Sequence, residues 1–443
     1  MALGFVTQLT DPARKTEIGT RRMHRNGSWK RPPRPVHFRF IILQKRLSIV
    51  PYTRIIICSV FAILSGIPLA GMAHEGHEHG DSDASKESTA KFDPTAPTNK
   101  FQVNGKTYRW EHRPELGKQS EAMINAAKGG LHNNADRDLL TGEVVTAVAK
   151  HGLVKLDSEL KEWTLVEDQD PVFAAGMNAH GTDCFVLDGE SYWAFASTNT
   201  QEVFVTKRGE VLAKLTQPKG DEFDNPTVNQ YFKSGGRFTP CDVVFLPDAK
   251  RLVVVIGYAP GDFALSAELV DGQWKWGGPA WGGREGSGGM LNTGHGVQVA
   301  TEGGKEIVEI ASRSHGRIFS FTPGGAQLRT PGAEKEYYIQ LPKGSNPCNI
   351  SSFGDSMFLP LLNALPTTNE SAPVLVMENG KPSGALVPAT YESLQLMQHM
   401  HGFCPVEIDG KLYGVVLSWR RASENSNGKP NDGQIAIFEA VQE

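Results

Sequence analysis

Four histidines, His132, His180, His295 and His401, stand at corresponding places in a repeating pattern, the last three as His-Gly pairs. Neutral imidazoles carried on separate strands can converge on one ion, and zinc takes three or four N, S or O donors in tetrahedral geometry. His151 and His315 also precede glycines, 19 and 20 residues after His132 and His295. They are candidates for outer ligands, proton shuttles or plain turn residues. Asp183 and Asp242 lie just inside two of the repeat openings, where a carboxylate can ligate or can orient an imidazole from behind. A lone His-Gly at a strand start is ordinarily a turn whose ring bonds the backbone. Four in register point to a metal, with a structural hydrogen-bonded ring as the alternative.

A second set of histidines lies far upstream. The stretch HEGHEHG, residues 74 to 80, places His74, His77 and His79 within six positions. It follows a basic flank and a short apolar run, Arg54 to Ala73, laid out as an export signal with cleavage expected after Ala73. His74 would then be the new N-terminus, and its amino group could join the two other imidazoles as a donor. The apolar run is shorter than the roughly 20 residues a spanning helix needs, so no stable membrane insertion is expected after cleavage. A periplasmic or secreted location follows.

Charge supports that reading. Residues 1–73 hold 12 of the 45 Lys and Arg and 2 of the 49 Asp and Glu, leaving 33 basic and 47 acidic residues beyond them. That balance of about −14 argues against nucleic acid and favours cations. Of five cysteines, Cys58 leaves with the signal. Cys184, Cys241, Cys348 and Cys404 remain, and admit disulfides between neighbouring units, thiolate ligation of zinc, or plain buried thiols. Other motifs are weak: PAWGGREGSGG lacks the lysine of a phosphate loop, and neither HExxH nor GxSxG occurs. Tyr258, Arg313, Arg317 and Arg420 are the side chains that an enzyme would want near the histidines.

These residues need a frame that brings distant stretches together. Short apolar runs alternate with Gly, Asn, Asp and Pro turns from residue 101 onward, which is the pattern of an all-β chain. One unit, HGTDCFVLDGESYWAFASTNTQEVFVTKRGEVLAKL from His180, holds four strands. Units open at His132, His180, Thr239, His295, Asn346 and His401, spaced by 48, 59, 56, 51 and 55 residues. Such periods suit propeller blades with loop insertions. Six blades are favoured, and seven are possible if the insertion 259–290 hides strands. The last unit ends after three strands, and the strand pair at 101–110 is placed to complete it and close the ring. Helices are expected only near 115–128 and 389–400. The chain thus divides into a basic extension or over-long start (1–53), a signal (54–73), a His-rich N-terminus and tether (74–100), and a single propeller (101–443).

With its His-Gly and Pro-Cys unit openings, the sequence resembles six-bladed propellers with weak, NHL-like repeats. In outline it is similar to exported propeller zinc metallochaperones, and more distantly to the propeller of the peptidylglycine amidating lyase. The first resemblance implies a zinc carrier with a central site (His132, His180, His295, His401) and a tail site (His74, His77, His79). It would exchange metal with a periplasmic metal-binding or transport protein. The second implies a zinc-dependent lyase or hydrolase with an open metal position. A propeller used as a scaffold, without metal, is the third reading.

Overall fold

The structure, a computed structural model, describes residues 99–127, 131–333, 336–368, 371–419 and 435–443. The signal, the tail histidines His74, His77 and His79, and Arg420 lie outside the described residues. The described residues fall in one compact unit. No helix among them is long and apolar enough to cross a membrane.

The chain is all-β, and its sheets are antiparallel. Sheet one takes Asp136–Arg137, Val144–Val148, Gly152–Leu156 and Trp163–Leu165 in that order. Sheet two follows with Ala179–Leu187, Glu190–Ser197, Glu202–Lys207 and Glu210–Leu215. Sheet three comprises Asp242–Leu246, Arg251–Val255, Phe263–Val270 and Gln273–Gly282. Sheet four starts with Gly294–Glu302, Lys305–Ser312 and Arg317–Phe321, and both Gln327–Leu328 and Tyr338–Gln340 pair with its third strand. The insertion 259–290 therefore supplies the third and fourth strands of sheet three and no additional sheet.

The remaining strands form one nine-stranded sheet. Its first half is Ser351–Phe353, Ser356–Pro360, Val374–Glu378 and Lys381–Leu386; its last half, counted from the far edge, is Met400–Ile408, Lys411–Ser418 and Ile435–Gln442. The N-terminal hairpin joins them. Lys100–Val103 pairs with Lys381–Leu386, while Lys106–His112 pairs with Ile435–Gln442 from Tyr108 opposite Gln442 to His112 opposite Phe438. The expected completion of the last unit by an N-terminal strand is thus the observed pairing.

Burial explains why the short apolar runs become strands. Most keep a buried stretch, and VVTAV at 144–148 and DVVFL at 242–246 are buried along their whole length, so both faces of those two strands meet other side chains. Of the six hydrophobic clusters among the described residues, four join sheets that are consecutive in the chain, one joins the two halves of the nine-stranded sheet, and one joins sheet one to the last strands. The last of these unites Val144, Val154 and Trp163 of sheet one with Cys404, Val415 and Ile437 of the last strands. The first strands touch in the same order: sheet one against two, two against three, three against four, and Met400–Ile408 against both Ser351–Phe353 and sheet one. Helices are few. The expected helix near 115–128 is the short Glu121–Ala127, and the one near 389–400 is replaced by 3-10 turns at Pro388–Thr390 and Glu392–Leu394. Pro226–Lys233 is a helix the apolar pattern did not announce, opened by Asn225, whose side chain caps the amides of Thr227 and Val228.

Candidate metal centre

His180, His295 and His401, each followed by a glycine, sit at β-bulges. In sheet two, Ala179 faces Ser197 and Gly181 faces Ala196, so His180 has no partner across the ladder. The same skip leaves out His295 between Gly294 and Gly296, and His401 between Met400 and Gly402. A bulge inserts one residue and re-aims its side chain. Here it turns three imidazoles inward, away from the face that their position in the strand would give them.

The glycine that follows has a separate task. A Cβ at Gly181 would run into Asp242, one at Gly296 would lie 2.8 Å from the Asn349 Cα, and one at Gly402 would lie 3.0 Å from the Asn133 carbonyl oxygen. Each glycine lets the next sheet's opening segment come close, and that segment presents a backbone carbonyl to the preceding histidine. His180 Nδ1 meets Cys241 O at 2.6 Å, His295 Nδ1 meets Cys348 O at 2.5 Å, and His401 Nδ1 meets Asn133 O at 3.2 Å. A carbonyl only accepts, so each Nδ1 carries the hydrogen and each Nε2 keeps a lone pair. Pro-Cys and Asn-Asn openings are thus the partners of the His-Gly openings in the sheets before them.

His132 arrives differently. It precedes the first strand of sheet one, in a segment outside any strand. That segment is pinned by the Asn133 side chain, which donates to Thr146 Oγ1 and Ala147 O at 2.7 Å each, and by the Thr146 hydroxyl, which donates to Asn134 O at 2.6 Å. The His132 ring lies 4.5 Å from the His180 ring and 4.4 Å from the His401 ring, centroid to centroid, with Trp419 against it at 4.6 Å.

The four histidines converge. One nitrogen from each of His132, His180, His295 and His401 lies within 4.8 Å of the others. A tetrahedral zinc with bonds of about 2.0–2.1 Å sets its nitrogens roughly 3.3 Å apart, so small ring rotations would close the set on an ion. His180, His295 and His401 are buried and His132 is half-buried. His401 Nε2 is buried with no hydrogen-bond partner, a condition that costs roughly 1–3 kcal/mol unless something takes its lone pair. Burial disfavours the charged form: it pushes the His401 imidazole down to about 3 and the His295 imidazole well below its ordinary range, the nearby Arg313 cation adding to both. Both are neutral imidazoles at pH 7.

The other expected residues have other tasks. Asp183 Oδ2 accepts from Phe245 N at 2.8 Å and Asp242 Oδ2 from Val297 N at 2.9 Å; Asp136 Oδ2 does the same for Cys184 N at 2.7 Å. These carboxylates staple the first strand of one sheet to that of the next. His151 sits in the turn before Gly152–Leu156, outside the convergent set. His315 closes a 3-10 turn and bonds Ser312 Oγ at 3.2 Å and Glu285 Oε2 at 2.7 Å. The disulfide and thiolate expectations are corrected: Cys184, Cys241, Cys348 and Cys404 are free and buried. Burial raises their thiols, to about 12 for Cys241 and about 11 for Cys348, so they remain protonated.

Two side chains named only as possible neighbours of the histidines prove to be part of the centre. Tyr258 Oη lies 2.9 Å from His295 Nε2 and 3.3 Å from His180 Nε2, and Arg313 Nη1 donates to that oxygen at 2.9 Å. Tyr258 lies between the second and third strands of sheet three, the loop position that His151 and His315 occupy in sheets one and four. That shared position is the signal from which it could have been found. Arg317 remains apart, over the Tyr338 ring and bonded to Gln340.

No family model matches the chain, and no curated protein matches it. Among solved structures, a protein of unknown function from Bacteroides caccae aligns over 66% of this chain and 90% of its own, at 11% identity and a TM-score of 0.41. A likeness of that size bears on neither chemistry nor detailed fold.

Proposed function

We propose that this chain is an exported zinc carrier built as a six-bladed propeller, with its central site at His132, His180, His295 and His401. The observation that carries the reading is the set of three buried Nε2 lone pairs, each fixed by an Nδ1 bond to a neighbouring sheet's carbonyl and joined by a fourth imidazole. Carbonyl-anchored imidazoles are the usual support of a metal site. Four nitrogens fill a tetrahedral shell, whereas catalytic zinc keeps three protein ligands and a position for water. Storage and delivery suit a filled shell.

The six-bladed reading draws on the clusters that join successive sheets and sheet one to the last strands, and on the contacts between neighbouring first strands. Export rests on the sequence of residues 54–73, and placement in the periplasm or a secreted fraction rests on the same stretch. His74, His77 and His79 would be a looser site that trades metal with a periplasmic metal-binding or transport protein. A zinc-dependent lyase or hydrolase is the second reading, and the pairing of Tyr258 with Arg313 beside the histidines is what favours it. It requires His132 to leave the metal.

Metal analysis of the mature chain, residues 74–443, is the test. About one zinc per chain retained through dialysis, and lost when His180 and His295 are both replaced by Ala, is expected. A wild-type chain that keeps no metal at neutral pH overturns the carrier and enzyme readings together and leaves a scaffold. Deleting residues 74–80 should slow transfer to an acceptor while the central zinc stays.

A further inference from the structure

The hydrogen-bond chain Arg313–Tyr258–His295 has a fixed direction. A guanidinium has donors only, so Arg313 Nη1 gives its hydrogen to the Tyr258 oxygen at 2.9 Å. His295 Nδ1 holds its hydrogen for Cys348 O, so His295 Nε2 can only accept. The phenol hydrogen of Tyr258 therefore points at His295 Nε2, 2.9 Å away, with His180 Nε2 the next acceptor at 3.3 Å. The lone pair that a metal would take from His295 is occupied by a hydroxyl of the same chain.

Tyr258 is held in that pose from several sides. The Arg313 guanidinium stacks on its ring, 5.0 Å from the centroid, and Arg237 Nη2 donates to its carbonyl at 3.0 Å. Gly257 permits the approach, since a Cβ there would meet the backbone of Gly294, beside His295. Asp262, at the end of the same turn, accepts from Thr293 N at 2.5 Å and from Gly294 N at 2.8 Å. The turn that carries Tyr258 and the strand that carries His295 are thus clamped together.

We infer that Tyr258 is a built-in competitor of the metal: it holds His295 and His180 converged when no ion is bound, and it must release His295 Nε2 for an ion to bind. This rests on the metal-carrier reading and says how the carrier gives its cargo up. A filled four-imidazole shell deep in the protein would release zinc slowly. A hydroxyl poised to retake one ligand lowers the cost of the first Zn–N bond to break, because the freed lone pair is not left bare in the interior. Arg313 keeps the hydroxyl aimed and places a positive charge near the ion.

The test uses the mature chain and zinc alone. Tyr258→Phe leaves His295 Nε2 without a donor in the metal-free state, so zinc should bind about tenfold more tightly and pass to excess EDTA about tenfold more slowly. The ¹⁵N resonance of His295 Nε2 should differ between wild type and variant without zinc, and agree with zinc bound. Weaker zinc binding in the variant would make Tyr258 a ligand, and unchanged affinity and release would make it a bystander; either result overturns the inference while the carrier reading stands. A wild type that binds no zinc ends both. If Tyr258→Phe does not fold, the wild type still decides. Adding zinc must shift the ring resonances of ¹³C-labelled Tyr258, and a tyrosine that does not respond refutes competition.

Discussion

His180, His295 and His401 are held by one device and His132 by another. Each of the three sits on a bulge inside a strand, has a glycine behind it, and lends its Nδ1 hydrogen to the next sheet. His132 stands before its strand, half-buried, on a segment pinned by Asn133 and Thr146. A bulge-borne ligand is set by sheet packing and cannot move without disturbing two sheets. A ligand that stands ahead of its strand, half-buried and outside any sheet ladder, can move at lower cost. The difference suggests an order of events in which three fixed imidazoles define the site and His132 completes or opens it.

Replacing one ligand of each kind is the strongest way to break that comparison. Structural zinc sites gain about 10–16 kcal/mol from four ligands, or roughly 3 kcal/mol each. His295→Ala should therefore weaken zinc binding by about two orders of magnitude or more, also leaving Cys348 O without its donor. His132→Ala should cost only about tenfold, since water can take a fourth position beside three fixed nitrogens. Competition titration against a chelator of known affinity reads both. Equal losses would mean that the two ways of holding a histidine do not matter.

A smaller effect tests whether the three bulges are equivalent. Gly181→Ala drives a methyl into Asp242, backbone included, whereas Gly402→Ala meets Asn133 O at 3.0 Å, where a slight retreat suffices. Overpacking of this kind costs about 1–3 kcal/mol, and displacing an imidazole's outer partner costs about tenfold to a hundredfold in metal affinity. The melting temperature and zinc affinity of Gly181→Ala should both fall well below those of Gly402→Ala. If the two variants behave alike, the close approach of neighbouring sheets is not what positions the rings.

The contrast also explains what could be read in the chain before its structure. Repeat rhythm gave the four-stranded units from His180 onward, because strands of four to nine residues bounded by turns write themselves into apolar alternation. The same register gave the four histidines. The bulges were hidden, since a one-residue skip in pairing depends on the partner strand and leaves no mark of its own. Asp183 and Asp242 looked like outer supports of the imidazoles because their spacing was right, yet a carboxylate three residues along a strand reaches the neighbouring sheet's amide instead. Tyr258 and Arg313 were visible only as candidates. Nothing in the loop IGYAPGD says that Gly257 will lie against Gly294.

Burial predicts the smallest signature, one that belongs to the bulge-borne rings. His401 protonates only near pH 3 in the folded chain, against about 6.5 when unfolded. Below pH 6.5 the unfolded state therefore binds the extra proton, and the metal-free fold loses stability as pH falls from about 6.5 toward 3. Asp136 and Asp262 oppose this. Their carboxyls are raised to about 6, mainly by burial, so their contribution is full below about pH 4 and is lost as pH rises through 6. Total stability mixes the two signs, and a difference between variants separates them. His401→Gln keeps a side-chain donor for Asn133 O and removes the titration. Urea unfolding of the metal-free chains should find wild type gaining on this variant between pH 5 and pH 7.5. A gap that stays constant over that range would mean that His401 is not held neutral by the fold, and that the site is wetter than three buried rings imply.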